Sequence, residues 1–222
     1  MLSHSMENYL KSIYELQQKT AWVSTSALAE RMEHAPASVT NMIKKLADTK
    51  PSLVEYVPYQ GVCLTAVGEK IALEVIRHHR LVELYLAEVM GVPWDQVHDE
   101  AEKIEHVISE DLEDRMAEVL GHPTIDPHGS PIPAKSGEII ERQVCPLSEV
   151  AVGQSGIVAE VYDENPELLR YLGKLGLYPD TSIKVIGREP FGGPLKIQIE
   201  GQPSFQHLSE EVSRHILISN IE

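Results

Sequence analysis

Between Ser24 and Thr65 the apolar positions switch from helical to alternating period, and this narrows the possible fold more than any other feature of the chain. Ser24 or Ser26 can cap a helix running through Met32, since a serine hydroxyl accepts from the free amides of a first turn. His34-Ala35-Pro36-Ala37 stops that helix, and Pro36 suits a turn or a first helical position. The next helix is expected to reach about Asp48, burying Val39, Met42, Ile43 and Leu46. Ser38, Asn41, Lys44 and Lys45 are left on its other face. Leu53-Val54-Glu55-Tyr56-Val57-Pro58-Tyr59 and Val62-Cys63-Leu64-Thr65 then alternate around Gln60-Gly61, which describes a short β-hairpin. Ahead of all this, residues 3–19 carry Tyr9, Leu10, Ile13, Tyr14 and Leu16 at helical spacing. Helix, turn, helix, hairpin is the winged helix-turn-helix order.

A long helix is expected from Ala66 to about Met90. After Gly91-Val92-Pro93 another is expected from about Trp94 to Leu120, closed by Gly121. Gly, Pro, Asp and Ser crowd residues 121–133, and the stretch to about Leu147 reads as a linker. From Ser148 onward, Val/Ile-rich pieces alternate with glycine turns: 156–161, 182–186, 195–199 and 215–218. With one short helix, Pro166 to Leu175, these suit a small β-barrel.

The 222 residues carry a formal charge of −15, which would repel a polyanion such as DNA. The charge is unevenly spread, however. Residues 1–80 hold nine Lys/Arg and eight Asp/Glu, and the acid is concentrated beyond them. The first 80 residues are therefore free to approach phosphates. Cys63 and Cys145 form no CxxC pair, so neither a disulfide framework nor a zinc knuckle is expected. No apolar run approaches the roughly 18 residues of a membrane span. The N-terminus has no signal-peptide core. A reducing cytoplasm is the expected location.

The richest segment chemically is His98-Asp99-Glu100-Ala101-Glu102-Lys103-Ile104-Glu105-His106. On one continuous helix, positions 98, 102, 105 and 106 share a face. His79 and Glu83 form a second His/Glu pair at i,i+4. Imidazole nitrogen with carboxylate oxygen suits Mn²⁺, Fe²⁺, Co²⁺ or Zn²⁺, and the lack of thiolate argues against the softest ions. A charged run on a helix is usually a solvated face. The coincidence of two His/Glu sets on consecutive helices favours a metal instead.

Taken in order, these pieces resemble the diphtheria-toxin-repressor and manganese-transport-regulator family. The resemblance rests on Glu7-Asn8-Tyr9-Leu10-Lys11-Ser12-Ile13-Tyr14-Glu15-Leu16, Leu64-Thr65-Ala66-Val67-Gly68, and His79-Arg80-Leu81-Val82-Glu83. It continues through Val97-His98-Asp99-Glu100-Ala101-Glu102, Glu105-His106, and Asp126-Pro127-His128-Gly129-Ser130-Pro131-Ile132-Pro133. It implies a winged helix-turn-helix over 1–72, a helical metal-binding and dimerisation domain over 73–140, and an SH3-like (FeoA-like) β-barrel over 146–222. It also implies a homodimer that binds a palindromic operator in double-stranded DNA, with two metal sites per subunit.

The resemblance assigns Asn8, Glu102, Glu105 and His106 to the primary site. It assigns His79, Glu83 and His98 to an ancillary one, with Glu164 and Glu167 as the nearest match for ligands from the third domain. Iron-type members carry Cys where Glu102 stands, so Mn²⁺ is favoured over Fe²⁺. Relatives commonly have Met or Asp where Asn8 stands, and short manganese regulators have a ligating Glu where Lys11 stands. In the recognition helix, Ser38, Thr40, Asn41, Lys44 and Lys45 are the polar DNA-contact candidates, and Ala37 suits a thymine methyl. Two other readings compete: a winged-helix regulator of a non-metal signal, and a dinuclear metal hydrolase, for which no substrate cleft or general base is marked.

Overall fold

Ser24, one of the two caps expected for the second helix, accepts from the Ala27 amide, and Ser3 accepts likewise from Met6 to start the first. The computed structural model describes residues 2–162 and 164–222. They form two units. One takes in residues up to His78 with Glu105–Ile108 and Pro133–Glu138; the other holds His79–Ile104, Ser109–Ile132 and Ile139–Glu222.

The first unit runs α1 (His4–Gln17), α2 (Thr25–Arg31), α3 (Pro36–Ala47), β1 (Val54–Val57) and β2 (Gly61–Leu64), then enters α4 (Ala66–Glu88). Pro36 begins α3, where its missing amide costs nothing. Val39, Ile43 and Leu46 lie on its inner face and are fully buried with Tyr9, Leu10, Ile13, Leu28 and Val62. The expected fourth inner residue, Met42, is only half-buried. β1 and β2 pair antiparallel, Val54 opposite Leu64 and Val57 opposite Gly61. Gly61 adopts φ +128°, and a Cβ there would meet the Val23 carbonyl oxygen at 2.3 Å. The hairpin closes there because glycine lets it lie against the segment before α2.

The second unit departs from expectation in two places. The single helix expected over residues 94–120 is two: α5 (Val97–Ile104) and α6 (Glu110–Val119). Ser109 Oγ accepts from the Leu112 amide, and Glu110, Asp111 and Glu113 fill the first turn of α6. A capped, acid-rich start is favourable at a helix N-terminus, so a new helix begins where a continuous one was expected. His98 and Glu102 therefore stand on α5, whereas Glu105 and His106 lie in a turn and not on that helical face.

The second departure concerns residues 121–133, which are not a free linker. Asp126, His128 and Ser130 are buried. Asp126 Oδ1 accepts from the backbone amides of His128 (2.8 Å) and Ser130 (2.9 Å), making a local turn. At Gly129, φ is +91° and a Cβ would lie 2.1 Å from the Ala159 carbonyl oxygen. The Gly and Asp that suggested flexibility instead fix a tight, buried turn.

The rest of this unit holds β3 (Cys145–Pro146), β4 (Ser155–Val161), α7 (Pro166–Leu175), β5 (Ser182–Arg188), β6 (Leu195–Ile199), β7 (Phe205–Leu208), α8 (Glu210–Arg214) and β8 (Ile216–Ser219). The strands form one antiparallel sheet in the order β3-β8-β4-β5-β6-β7. β3 and β7 are its edges, so among the described residues the expected barrel is an open six-stranded sheet of the same small antiparallel class. Alternate residues such as Ile183 and Val185, or Leu195, Ile197 and Ile199, point into one core with Leu169 and Leu172 of α7. Among the described residues no helix is long and apolar enough to cross a membrane.

Candidate metal centres and recognition helix

In the second unit α4 presents His79 and Glu83 one turn apart, and α5 presents His98. His79 Nε2 lies 3.0 Å from Glu83 Oε1, His98 Nδ1 lies 3.1 Å from the same oxygen, and the two nitrogens are 3.1 Å apart. Ligands at right angles around a divalent ion, with bonds of ~2.1 Å, are separated by ~3 Å. The three donors are already spaced to hold one. Glu83 is fully buried. Burial pushes its carboxyl up, but the His79 charge and the hydrogen bonds of His79 and His98, helped by His128, outweigh that and hold it well below the usual carboxylate range.

The second oxygen of Glu83 accepts no hydrogen bond, and His128 Nδ1 is 3.9 Å from it. His128 Nε2 donates to the Trp94 carbonyl at 2.8 Å, which in a neutral ring leaves the lone pair on Nδ1, toward Glu83. One ligand atom each from Glu83, Asp126 and His128 lies within 4.8 Å of the others. Asp126 also faces Arg80, whose Nε is 3.6 Å from Oδ2. Sequence reasoning missed Asp126 and His128 as site residues. They stood in a quoted motif, but Gly and Pro on either side made the segment look like a linker. Glu164 and Glu167 are not in these clusters. Glu164 accepts from the Tyr162 hydroxyl, and Glu167 is exposed at the start of α7.

In the first unit Glu105 is fully buried, and Lys11 Nζ donates to both its oxygens, at 3.0 and 3.3 Å. His78 Nδ1 donates to the Glu105 backbone carbonyl at 3.1 Å. His106 Nε2 faces Glu105 Oε1 at 3.3 Å without hydrogen-bond geometry. Its Nδ1 donates to Glu7 Oε2 at 2.7 Å, and its ring stacks on His4 at 4.8 Å. Asn8 Oδ1 is buried and accepts no hydrogen bond. The buried Asn8 amide oxygen, His106 Nε2 and the buried Glu105 carboxylate, all in this unit, are oxygen and nitrogen donors of the kind a divalent cation takes. Glu102 stands half-buried on α5, in the second unit.

Ala37, Ser38, Asn41, Lys44 and Lys45 are exposed on α3. Thr40 is half-buried, and its hydroxyl donates back to the Pro36 carbonyl at 2.9 Å. The outer face of α3 thus offers an amide, a hydroxyl and two cations, with the lysines in its last turn.

Comparison with known proteins agrees with this architecture along the whole chain. Residues 1–62 match the family described as iron dependent repressor, N-terminal DNA binding domain. Residues 65–134 match the iron dependent repressor metal binding and dimerisation domain, and residues 145–220 match the FeoA domain. The iron-dependent repressor IdeR of Mycobacterium tuberculosis is 36% identical, with 99% of each chain covered. A solved manganese-dependent transcriptional repressor in complex with manganese superposes with a TM-score of 0.89 at 34% identity, covering 96% of this chain and 99% of that one. The structure of ScaR with bound Cd²⁺ gives a TM-score of 0.81 at 31% identity, covering 96% and 98%. With its three domain matches in order and two clusters of imidazole and carboxylate, the chain belongs to the three-domain diphtheria-toxin-repressor and manganese-transport-regulator family of metal-dependent, DNA-binding transcriptional repressors.

Proposed function

We propose that this repressor responds to Mn²⁺, with Fe²⁺ as the alternative effector, and controls genes of metal-ion homeostasis from the cytoplasm. The observation that carries the reading is the donor chemistry of the first unit: Asn8 Oδ1, Glu105 and His106 offer oxygen and nitrogen but no sulfur. Glu102 remains a proposed ligand on the family resemblance alone. The second proposed site uses His79, Glu83 and His98, with Asp126 and His128 on the far side of Glu83 as further donors. Glu164 and Glu167 stay weaker candidates. The division into a DNA-binding part (1–72), a metal-binding and dimerising part (73–140) and a FeoA-like part (146–222) is proposed with it.

A divalent cation would add positive charge beside the buried Glu105 carboxylate, to which Lys11 already donates. Glu105 and Asn8 then belong to one coordination shell, and that shell ties α1 to the turn holding His106. Since α1 packs in the core that carries α3, fixing α1 fixes the recognition helix. In a homodimer, two such helices held about one turn of DNA (~34 Å) apart suit a palindromic operator. In this reading Asn41 contacts a base edge, with Ala37, Ser38 and Thr40 beside it, while Lys44 and Lys45 neutralise phosphate; the exposure of Asn41, Lys44 and Lys45 on α3 supports it. Because DNA and metal favour the same arrangement, each tightens the other.

The test is an operator-binding titration with Mn²⁺, Fe²⁺ and Zn²⁺ in parallel. The wild-type protein is expected to gain DNA affinity with Mn²⁺, and Glu105→Ala to lose that gain. Metal-independent binding, unchanged in Glu105→Ala, would favour a regulator of some other signal. Hydrolysis of a phosphoester or amide with Mn²⁺ bound would favour the hydrolase reading.

A further inference from the structure

The first turn of α1 holds two side chains against His106 that no ligand set includes. His4 and Glu7 are three residues apart, hence on one face of the helix. Ser3 caps that turn through the Met6 amide and so fixes its geometry. Glu7 Oε2 lies 2.7 Å from His106 Nδ1, and His4 stacks on the ring with an interplanar angle of 18°. The His106 side chain is 5% exposed and that of Glu7 18%, so water competes little for the bond.

A carboxylate oxygen can only accept, so Nδ1 carries the proton of this bond. In a neutral imidazole the lone pair must then sit on Nε2, the nitrogen 3.3 Å from Glu105 Oε1. Without such a partner an imidazole in water favours the opposite tautomer, which would place N–H where a ligand is needed.

We infer that Glu7 is the positioning residue of the proposed primary metal site, selecting the Nδ1–H tautomer of His106 while His4 holds the ring plane. The inference rests on the proposed role of His106 as a ligand. It adds a determinant of metal affinity outside the coordination shell. A carboxylate behind a ligating histidine sets tautomer, orientation and basicity, and its loss typically costs 10–100-fold in metal affinity. Charge adds to this, since Glu7 contributes an anion close to a site where Asn8 contributes none.

The test reads the two ring nitrogens of His106 by nitrogen-15 NMR in wild type, Glu7→Gln and Glu7→Ala. Metal-free wild type is expected to show the proton on Nδ1, and Glu7→Ala on Nε2. Each protein is then titrated with Mn²⁺, and the concentration that broadens the His106 signal is recorded. That midpoint should rise roughly 10–100-fold in Glu7→Ala. Glu7→Gln, whose amide oxygen can still accept, should fall between. The midpoint for His79 serves as the internal control and should not move; general unfolding would move both.

Nε2–H in metal-free wild type, or a Glu7→Ala midpoint within about twofold of wild type, overturns the inference. A wild-type His106 signal that Mn²⁺ never perturbs overturns the ligand reading instead, and the metal-free tautomer still reports on Glu7 separately.

Discussion

Replacing Lys11 by Met keeps the length and apolar stem of the side chain and removes only the ammonium that faces Glu105. Lys11 Nζ is 3.0 Å from Oε2 and 3.3 Å from Oε1, with side-chain exposures of 10% for Lys11 and 0% for Glu105. At an effective dielectric of about 20, a pair at that distance attracts by about 5 kcal/mol, and part of this is spent desolvating the lysine. Removing one partner of a buried pair costs about 3–5 kcal/mol, because the other charge is left behind. His106 Nε2, 3.3 Å from Oε1, turns a lone pair toward it and does not replace the ammonium, so the expected loss is the full range of about 3–5 kcal/mol. In a chain of this size that corresponds to a fall in Tm of roughly 6–20 °C. The assay is urea unfolding of chelator-treated Lys11→Met against wild type, read as a shift in midpoint at constant slope. Repeated with saturating Mn²⁺, the deficit should shrink, since the cation becomes the counter-charge of Glu105. A recovery of at least about 1.4 kcal/mol means tenfold tighter Mn²⁺ binding in the variant. A metal-free loss below about 1 kcal/mol, the value of an exposed pair, would refute the reasoning. So would a deficit that Mn²⁺ leaves unchanged.

Gly129→Ala should cost more than about 2 kcal/mol, seen as a drop in thermal midpoint, because φ is +91° and the new methyl would lie 2.1 Å from the Ala159 oxygen. Lys44→Ala should weaken binding to operator and non-operator DNA alike and lower the salt slope by about 1; loss at one base pair alone would contradict a phosphate contact. Glu83→Gln should remove one metal equivalent per subunit by equilibrium dialysis. In the metal-free protein the Glu83 carboxyl sits below its ordinary range, so its contribution is fully present above about pH 4.3 and is lost as pH falls from there through the lowered value. The stability gap between wild type and Glu83→Gln should therefore narrow only under acid, and a gap that widened there would contradict the arrangement.

The winged helix-turn-helix was legible because each of its elements carries a local signal: Ser24 and Pro36 at helix starts, Val39, Ile43 and Leu46 at one period, and Gly61 where the hairpin must turn. Helix α7 was legible for the same reason, with Asn165 accepting from two amides at its start and Gly176 in the left-handed region at its end. Helical spacing paired His79 with Glu83, but it set His98 on a face with residues 102, 105 and 106; only the family resemblance grouped His98 with the pair, as the distances do. Two things were hidden. The stop between α5 and α6 competes with an unbroken charged run, and only the Ser109 cap with its acidic first turn betrays it. His128 lies far in sequence from Glu83, and nothing periodic links a turn residue to a helix it packs against. Lys11 illustrates a third case: its residue type was visible, but its burial against Glu105 depends on tertiary packing.

The turn at residues 105–107 has a consequence for anyone who would rebuild this protein. Successive side chains on an α-helix diverge by about 100°, so neighbours drawn on a helical wheel never meet. Glu105 and His106 meet, with 3.3 Å between Oε1 and Nε2, because the wheel stops at Ile104. Substitutions at Val107, Ile108 and Ser109 chosen to please a helix would run the rotation on through these two positions. The variant would gain helical content, yet the Glu105 and His106 side chains would point apart. The irregular backbone is thus what makes two consecutive letters of the sequence into one grip.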